Sequence, residues 1–194
     1  MVTKIDAWYN VFTLVSRKYT CGYCGENVSS EKGYYTNVSG RPISGYIYIC
    51  HACNKPSFFD VITKTQTPGA LIGGVIEHLP ETIRDLYIEI QNTTTTGSYT
   101  ATILSGRKLL MHIAVELGAQ QGKNFVDYVD YLSSNGYTPP KGRVWVDEIR
   151  KMGNEANHEI VIMDEQHARS MVKFLEMLLK FNYEFPAEAS EEDA

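Results

Sequence analysis

The chain has 194 residues, 43% of them hydrophobic and 21% charged, and a formal net charge of −5. This is the composition of an ordinary soluble protein, with room for one medium domain or for a small module and a larger one. No apolar run approaches the roughly 18–20 residues that span a bilayer, and the acidic balance argues against a broad phosphate-binding surface.

Residues 1–60 carry six Lys/Arg and four Asp/Glu, a net of +2, so the remainder holds −7. The start of the chain, where Asp6 and Asn10 interrupt any apolar run, has no secretory pattern. The expected compartment is therefore the cytoplasm, with no membrane partner. Over residues 5–16, Ile5, Trp8, Phe12 and Val15 recur at spacings of three and four, which predicts an amphipathic helix; the aromatic content also suits a strand.

All four cysteines then fall in two pairs, Cys21-Gly22-Tyr23-Cys24 and Cys50-His51-Ala52-Cys53. Four thiolates at this spacing close a tetrahedral Zn²⁺ shell with no position left for substrate, so the expected role of the metal is structural. A disulfide framework would need an oxidising compartment, and a thioredoxin-like motif would need only one pair. A rubredoxin-type iron site uses the same ligands at similar spacing. His51, inside the second pair, is an alternative ligand, but with four thiols at hand its expected place is solvent or a contact to the ligands. Between the pairs, Tyr34–Val38 and Tyr46–Ile49 are strand-forming runs joined by a Gly/Pro/Ser turn. Knuckle, strand, turn, strand and knuckle predict a zinc ribbon within residues 1–62. The tyrosines of this region (Tyr23, Tyr34, Tyr35, Tyr46, Tyr48) could stack bases or simply cover a small sheet.

Residues 63–79 read as a linker, and helical patterns follow over 80–186. Pro80 and Glu81 open a helix that the threonine run after Asn92 breaks. Ser98 caps a long helix ending near Gly118, and Asn124 caps a shorter one through Tyr131 that ends at Gly136. Val144–Glu159 is the next helix. Asp164 caps the last, whose buried face includes Met171, Val172, Leu175, Leu178 and Leu179. The acidic end, 187–194, has no apolar residue to offset ordering and is expected to be disordered. The fold class is thus mainly α, a helical bundle preceded by a small β ribbon.

Within the fourth helix, Arg150, Asn154 and His158 follow at i, i+4 and i+8. They drift only about 80° around the axis and form one polar stripe, with Trp145, Ile149 and Met152 toward the core beside it. A structural hydrogen-bonded role, contact with RNA, and catalysis are the three readings of that stripe. Elsewhere, Ser105–Lys108 lacks the rest of a phosphate loop. His112 and Glu116 stand one helical turn apart, as metal ligands can, and Asp127 and Asp130 read as a solvated face.

The stretch from Leu79 to Pro186 resembles the domain of unknown function 4145 family. The resemblance is carried by Leu79-Pro80-Glu81-x-Ile83 with Tyr87 and Glu89, by Ala101, Leu104, Arg107, Leu109 and Leu110, and most sharply by Trp145-x-x-x-Ile149-Arg150-x-x-Gly153-Asn154-Glu155-Ala156-x-His158. Asn157 stands where many members have Ala. Bacterial members often carry an N-terminal zinc ribbon. The family in turn is similar to the HEPN superfamily of helical bundles, found in toxin–antitoxin, phage-defence and RNA-processing systems. Many of those are metal-independent ribonucleases, with a site formed where two protomers face each other. The resemblance implies a paired bundle, a homodimer with RNA or protein partners, and Asn154 and His158 at the places of the superfamily's polar residue and histidine. Gly153 occupies the place of its arginine, and Arg150 lies one turn back. The function implied is a non-catalytic interaction module, or alternatively a metal-independent endoribonuclease using His158 with Arg150 and Asn154.

Overall fold

The computed structural model describes residues 4–139, 145–149, 151 and 162–192. Arg150, Gly153, Asn154 and His158 lie outside the described residues. The chain forms two compact units, residues 1–72 with 95–97, and residues 73–94 with 98–194. Helix accounts for 44% and strand for 18%, so the class is mixed α and β rather than mainly α.

The first unit is an antiparallel meander of five strands in sequence order. These are β1 (Phe12–Thr20), β2 (Asn27–Tyr35), β3 (Gly45–Ile49), β4 (Pro56–Asp60) and the short β5 (Gln66–Thr67). The helix expected over 5–16 is absent. Phe12, Thr13, Val15, Tyr19 and Thr20 have the β-branched and aromatic character of a strand, and β1 pairs with β2 from Phe12↔Gly33 to Thr20↔Asn27. An irregularity between Thr13 and Arg17 turns Val15 out to solvent. That break in alternation is why the sequence shows no clean period of two. The sheet also extends beyond the expected hairpin, because β4 and β5 add to its far side and β5 takes up part of the expected linker. Gly33 is required by packing: a Cβ there would stand 1.8 Å from the Ile47 carbonyl oxygen. One side of the sheet buries Tyr19, Val28, Tyr48 and Phe59 together with three of the four cysteines. The rings meet edge-on, Tyr19 to Phe59 at 5.1 Å and Tyr48 to Phe59 at 5.6 Å.

The second unit contains α1 (Glu81–Thr95), of which Thr95 is counted with the first unit, α2 (Tyr99–Glu116), α3 (Phe125–Ser134) and α4 (Glu165–Leu179). A π-helical turn (Lys180–Glu184) follows and leads into α5 (Phe185–Glu192). Residues 145–149 are also helical. The core is aliphatic: Ile83 and Ile90 of α1, Ile103, Leu109, Leu110 and Ile113 of α2, and Met171, Phe174, Leu175 and Leu178 of α4 are all buried. Gly106 lets α4 approach α2, since a Cβ there would lie 2.6 Å from Met171 Cγ.

The caps at Asn124 and Asp164 form as the sequence predicts. Asn124 accepts from the Asp127 backbone N–H at 2.9 Å and Asp127 returns the bond, a full capping box. Asp164 accepts from the His167 N–H at 2.9 Å. Ser98 precedes α2 without a side-chain cap bond. The threonine run does not end α1 at Asn92; the Thr93 and Thr94 hydroxyls donate to the Ile90 carbonyl at 2.8 Å, and the helix reaches Thr95. The acidic end is helical as far as Glu192, against the expected disorder. It continues an existing helix through the π turn, so no new nucleus is required. The end of α4 and that turn are tied to residues 74–77: Glu176 accepts the Gly74 N–H at 2.9 Å and the buried Glu184 accepts the Glu77 N–H at 2.6 Å.

Candidate metal centre

The two cysteine pairs are built as the same turn used twice. In the first, the Cys21 N–H donates to the Glu26 carbonyl at 2.9 Å and the Gly25 N–H to the Cys21 carbonyl at 3.0 Å. In the second, the Cys50 N–H donates to Lys55 at 3.0 Å and the Asn54 N–H to Cys50 at 2.8 Å. The residue after each second cysteine has a left-handed backbone, Gly25 at φ 75° and Asn54 at φ 60°. Glycine and asparagine are the residues that accept this conformation most readily. Strand β1 leads into the first knuckle and β3 into the second, and the antiparallel meander brings the two turns to one end of the sheet.

All four sulfurs lie within 4.8 Å of one another. Cys21 Sγ is 3.8 Å from Cys53 Sγ, and Cys24 Sγ is 3.8 Å from Cys50 Sγ. No disulfide joins them. A tetrahedron of sulfurs about 2.3 Å from a central Zn²⁺ has edges of about 3.8 Å, so the donor set fits that ion. Cys21, Cys50 and Cys53 are buried, and Cys24 is partly exposed.

The electrostatics call for a cation. Burial, foremost, pushes the Cys24 thiol well above its ordinary range, with Cys21 and Cys53 beside it adding to the rise. Burial also pushes Cys53 up to about 11, reinforced by the charge of Cys21. Burial works against ionisation of Cys50 as well, but the Cys53 and Ala52 backbone N–H groups outweigh it and its pKa is lowered. The Tyr19 phenol, buried against the cluster, is raised by burial and then by the charges of Cys50 and Cys21. Four thiolates packed this closely are stable together only around a cation that compensates their charge. A closed set of this kind holds the fold and offers no coordination position to a substrate.

His51 is exposed on the surface of the second knuckle and is not among the clustered ligand residues. A strap crosses this knuckle that no motif in the sequence marks. The Ile5 N–H donates to the Cys53 carbonyl at 3.3 Å, the Asn54 side-chain amide donates to the Ile5 carbonyl at 3.0 Å, and the Trp8 indole N–H donates to the Asn54 carbonyl at 2.7 Å. The only available signal was an asparagine directly after the last cysteine.

The remaining candidates resolve separately. Ser105–Lys108 lies inside α2 and forms no phosphate loop. His112 Nε2 and Glu116 Oε1 are 3.6 Å apart, and the Tyr183 hydroxyl donates to Glu116 Oε2 at 2.7 Å, which makes a helix-surface contact. Asp127 serves the capping box. Ile149 is buried as expected, whereas Trp145 is exposed on the same stretch. Tyr48 belongs to the core and donates to the Val15 carbonyl at 2.8 Å, while Tyr23 and Tyr35 are partly open to solvent. No helix among the described residues is long and apolar enough to cross a membrane.

Neither a curated protein nor a solved structure matches the chain. The model of the domain of unknown function 4145 family (DUF4145) matches residues 89–193, more than half of the chain, and with the four-cysteine sheet ahead of it the chain belongs to that family.

Proposed function

We propose that this protein is a zinc-stabilised, non-catalytic interaction module. Its helical unit is a HEPN-like bundle that pairs as a homodimer, and it works in the cytoplasm in bacterial or phage defence or in nucleic-acid metabolism. The observation that carries this reading is the closed thiolate cluster, which supplies folding energy to a small sheet and leaves no coordination position for a substrate. Gly153, at the place where the resemblance to HEPN proteins puts an arginine, supports the non-catalytic assignment of the helical unit. In-line attack by a ribose 2′-hydroxyl needs a base and also a donor array for the developing phosphorane charge, and glycine supplies no such donor.

The alternative is a metal-independent endoribonuclease. It is favoured by the spacing of Arg150, Asn154 and His158, which puts a base and a guanidinium on one stripe of a regular helix. Arg150 then stands about 4.5 Å farther along the axis than a residue directly before Asn154, so its approach to phosphate would differ. The test combines light scattering of the full chain with incubation on structured and single-stranded RNA without added divalent metal. The expected result is a dimer mass and intact RNA. Cleavage that disappears in both His158→Ala and Arg150→Ala would replace this reading with the nuclease, and a strictly monomeric mass over a wide concentration range would remove the paired bundle.

A further inference from the structure

Where β1 begins and β2 ends, the first unit presents rings outside its buried cluster. Trp8 and Tyr34 meet at 6.3 Å between ring centroids, Phe12 and Tyr34 at 6.4 Å, and Phe12 and Tyr35 at 5.3 Å, all edge-to-face. The cluster is held in place by the backbone: the Tyr34 hydroxyl donates to the Tyr9 carbonyl, and the Trp8 indole is bonded to Asn54. Yet it is open to solvent, with Phe12 52% and Trp8 38% exposed. Anchored aromatic rings that remain accessible suit a partner with flat apolar faces.

A recess of about 520 Å³ adjoins these rings through Asn54, whose carbonyl holds Trp8 and which also lines the recess. Ser16, Ser29 and Lys32 contribute hydroxyls and an ammonium to its wall, and Lys18 stands across from Ser29 in the β1–β2 register. Ser30, also in the wall, has its hydroxyl committed to the Ile49 carbonyl at 2.6 Å. Glu31 lines the recess too and offsets one lysine. Residues 1–72 hold seven Lys/Arg and four Asp/Glu, while residues 73–194 hold eleven and nineteen. A filled thiolate site subtracts two charges from the first unit, so attraction of an anion depends on where Lys18 and Lys32 stand rather than on the total.

We infer that this face binds single-stranded nucleic acid, with bases against the Trp8, Phe12 and Tyr34 rings and backbone phosphate at the recess beside Lys18 and Lys32. Stacking needs unpaired bases, which duplexes withhold, and two lysines offset by a glutamate are too few to hold a duplex by charge alone. The Trp8 strap lies on the Asn54 turn, so the surface is complete only when the second knuckle is formed.

This inference rests on the reading of the chain as an interaction module and names its partner class. The test is fluorescence anisotropy of the zinc-loaded full chain with a labelled 15-mer of oligouridylate and one of oligothymidylate, against a 15-base-pair duplex and an oligoglutamate peptide. Saturable binding of the single strands is expected, at least tenfold tighter than of the duplex or the peptide. Its salt dependence should be shallow, about −0.7 in log–log slope per phosphate contact. Trp8→Ala with Phe12→Ala should weaken it roughly tenfold or more. Lys18→Glu with Lys32→Glu should weaken it and flatten the salt slope, while Lys173→Glu on α4 leaves it within twofold. Zinc content and circular dichroism verify that each variant is folded. No binding at tens of micromolar protein, equal binding of oligoglutamate, or unchanged affinity in both folded double variants would overturn the inference. None of these outcomes bears on whether the chain pairs or cleaves RNA, so the broader reading stands or falls by its own experiment.

Discussion

The two units hold themselves together by different means. Of the twelve largest fully buried side chains among the described residues, from Phe174 to Leu178, every one lies in the helical unit. The buried cluster of the sheet unit consists of seven residues, and three of them are cysteines. A five-stranded sheet with that little apolar mass falls below what burial alone sustains, and a metal on the four clustered cysteines would make up the difference. The helical unit instead stacks whole aliphatic faces of α1, α2 and α4. One chain therefore joins a fold whose stability is expected to depend on a metal to one that depends on burial, and perturbations should act on them independently.

The largest separation is expected from Cys50→Ser. It removes one of four ligands, and structural zinc in small modules is worth on the order of 10 kcal/mol or more. Metal analysis should fall from about one zinc per chain to near zero and the sheet signal should vanish, while the helical circular dichroism and its melting transition persist. Loss of both signals together would mean that the units are not independent.

The reverse perturbation is Phe174→Ala. It opens a cavity in a fully buried aliphatic site and should lower the stability of the helical unit by about 3–5 kcal/mol in chemical denaturation. Zinc content should be unchanged. A cost below about 1 kcal/mol would show that the site is not the packed core described.

Acid should sharpen the comparison with a smaller effect. A bound thiolate has its pKa lowered far below the roughly 8.5 of a free thiol, so its stabilisation is present at high pH and is lost as pH falls through the metal-bound value. Asp164 is also lowered, by the His167 backbone N–H first and the His167 side chain next. Its contribution is present above the unfolded aspartate value near 3.9 and is lost only as pH falls below it, through the folded value. A chromophoric chelator should therefore report zinc release at a higher pH than the one where helicity begins to fall. Coincident transitions would contradict the separate origins of the two folds.

Much of this was legible in the chain because the controlling interactions are local. The four ligands, the caps at Asn124 and Asp164, and the buried face of α4 depend on spacings of two to four residues, which a sequence displays directly. The N-terminal strand was hidden for the opposite reason. Ile5, Trp8, Phe12 and Val15 mimic a helical period, and β1 owes its form to pairing with β2 and to an irregularity that breaks alternation. The acidic end was misread because its helix inherits a nucleus from the π turn before it, which composition does not reveal.

The sequence by itself determined the two cysteine pairs that cluster, the family and the division into a cysteine-bearing module and a helical unit, because thiol spacing and apolar periodicity are properties of neighbouring residues. Only the tertiary structure decided that five strands rather than two form the sheet, and that the two knuckles are one repeated turn ending in Gly25 and Asn54. It also decided that Trp8 is strapped across the second knuckle beside a polar recess. Those features join residues up to 49 positions apart, as in the Asn54–Ile5 bond, and such pairings depend on where the whole meander places its edges and turns.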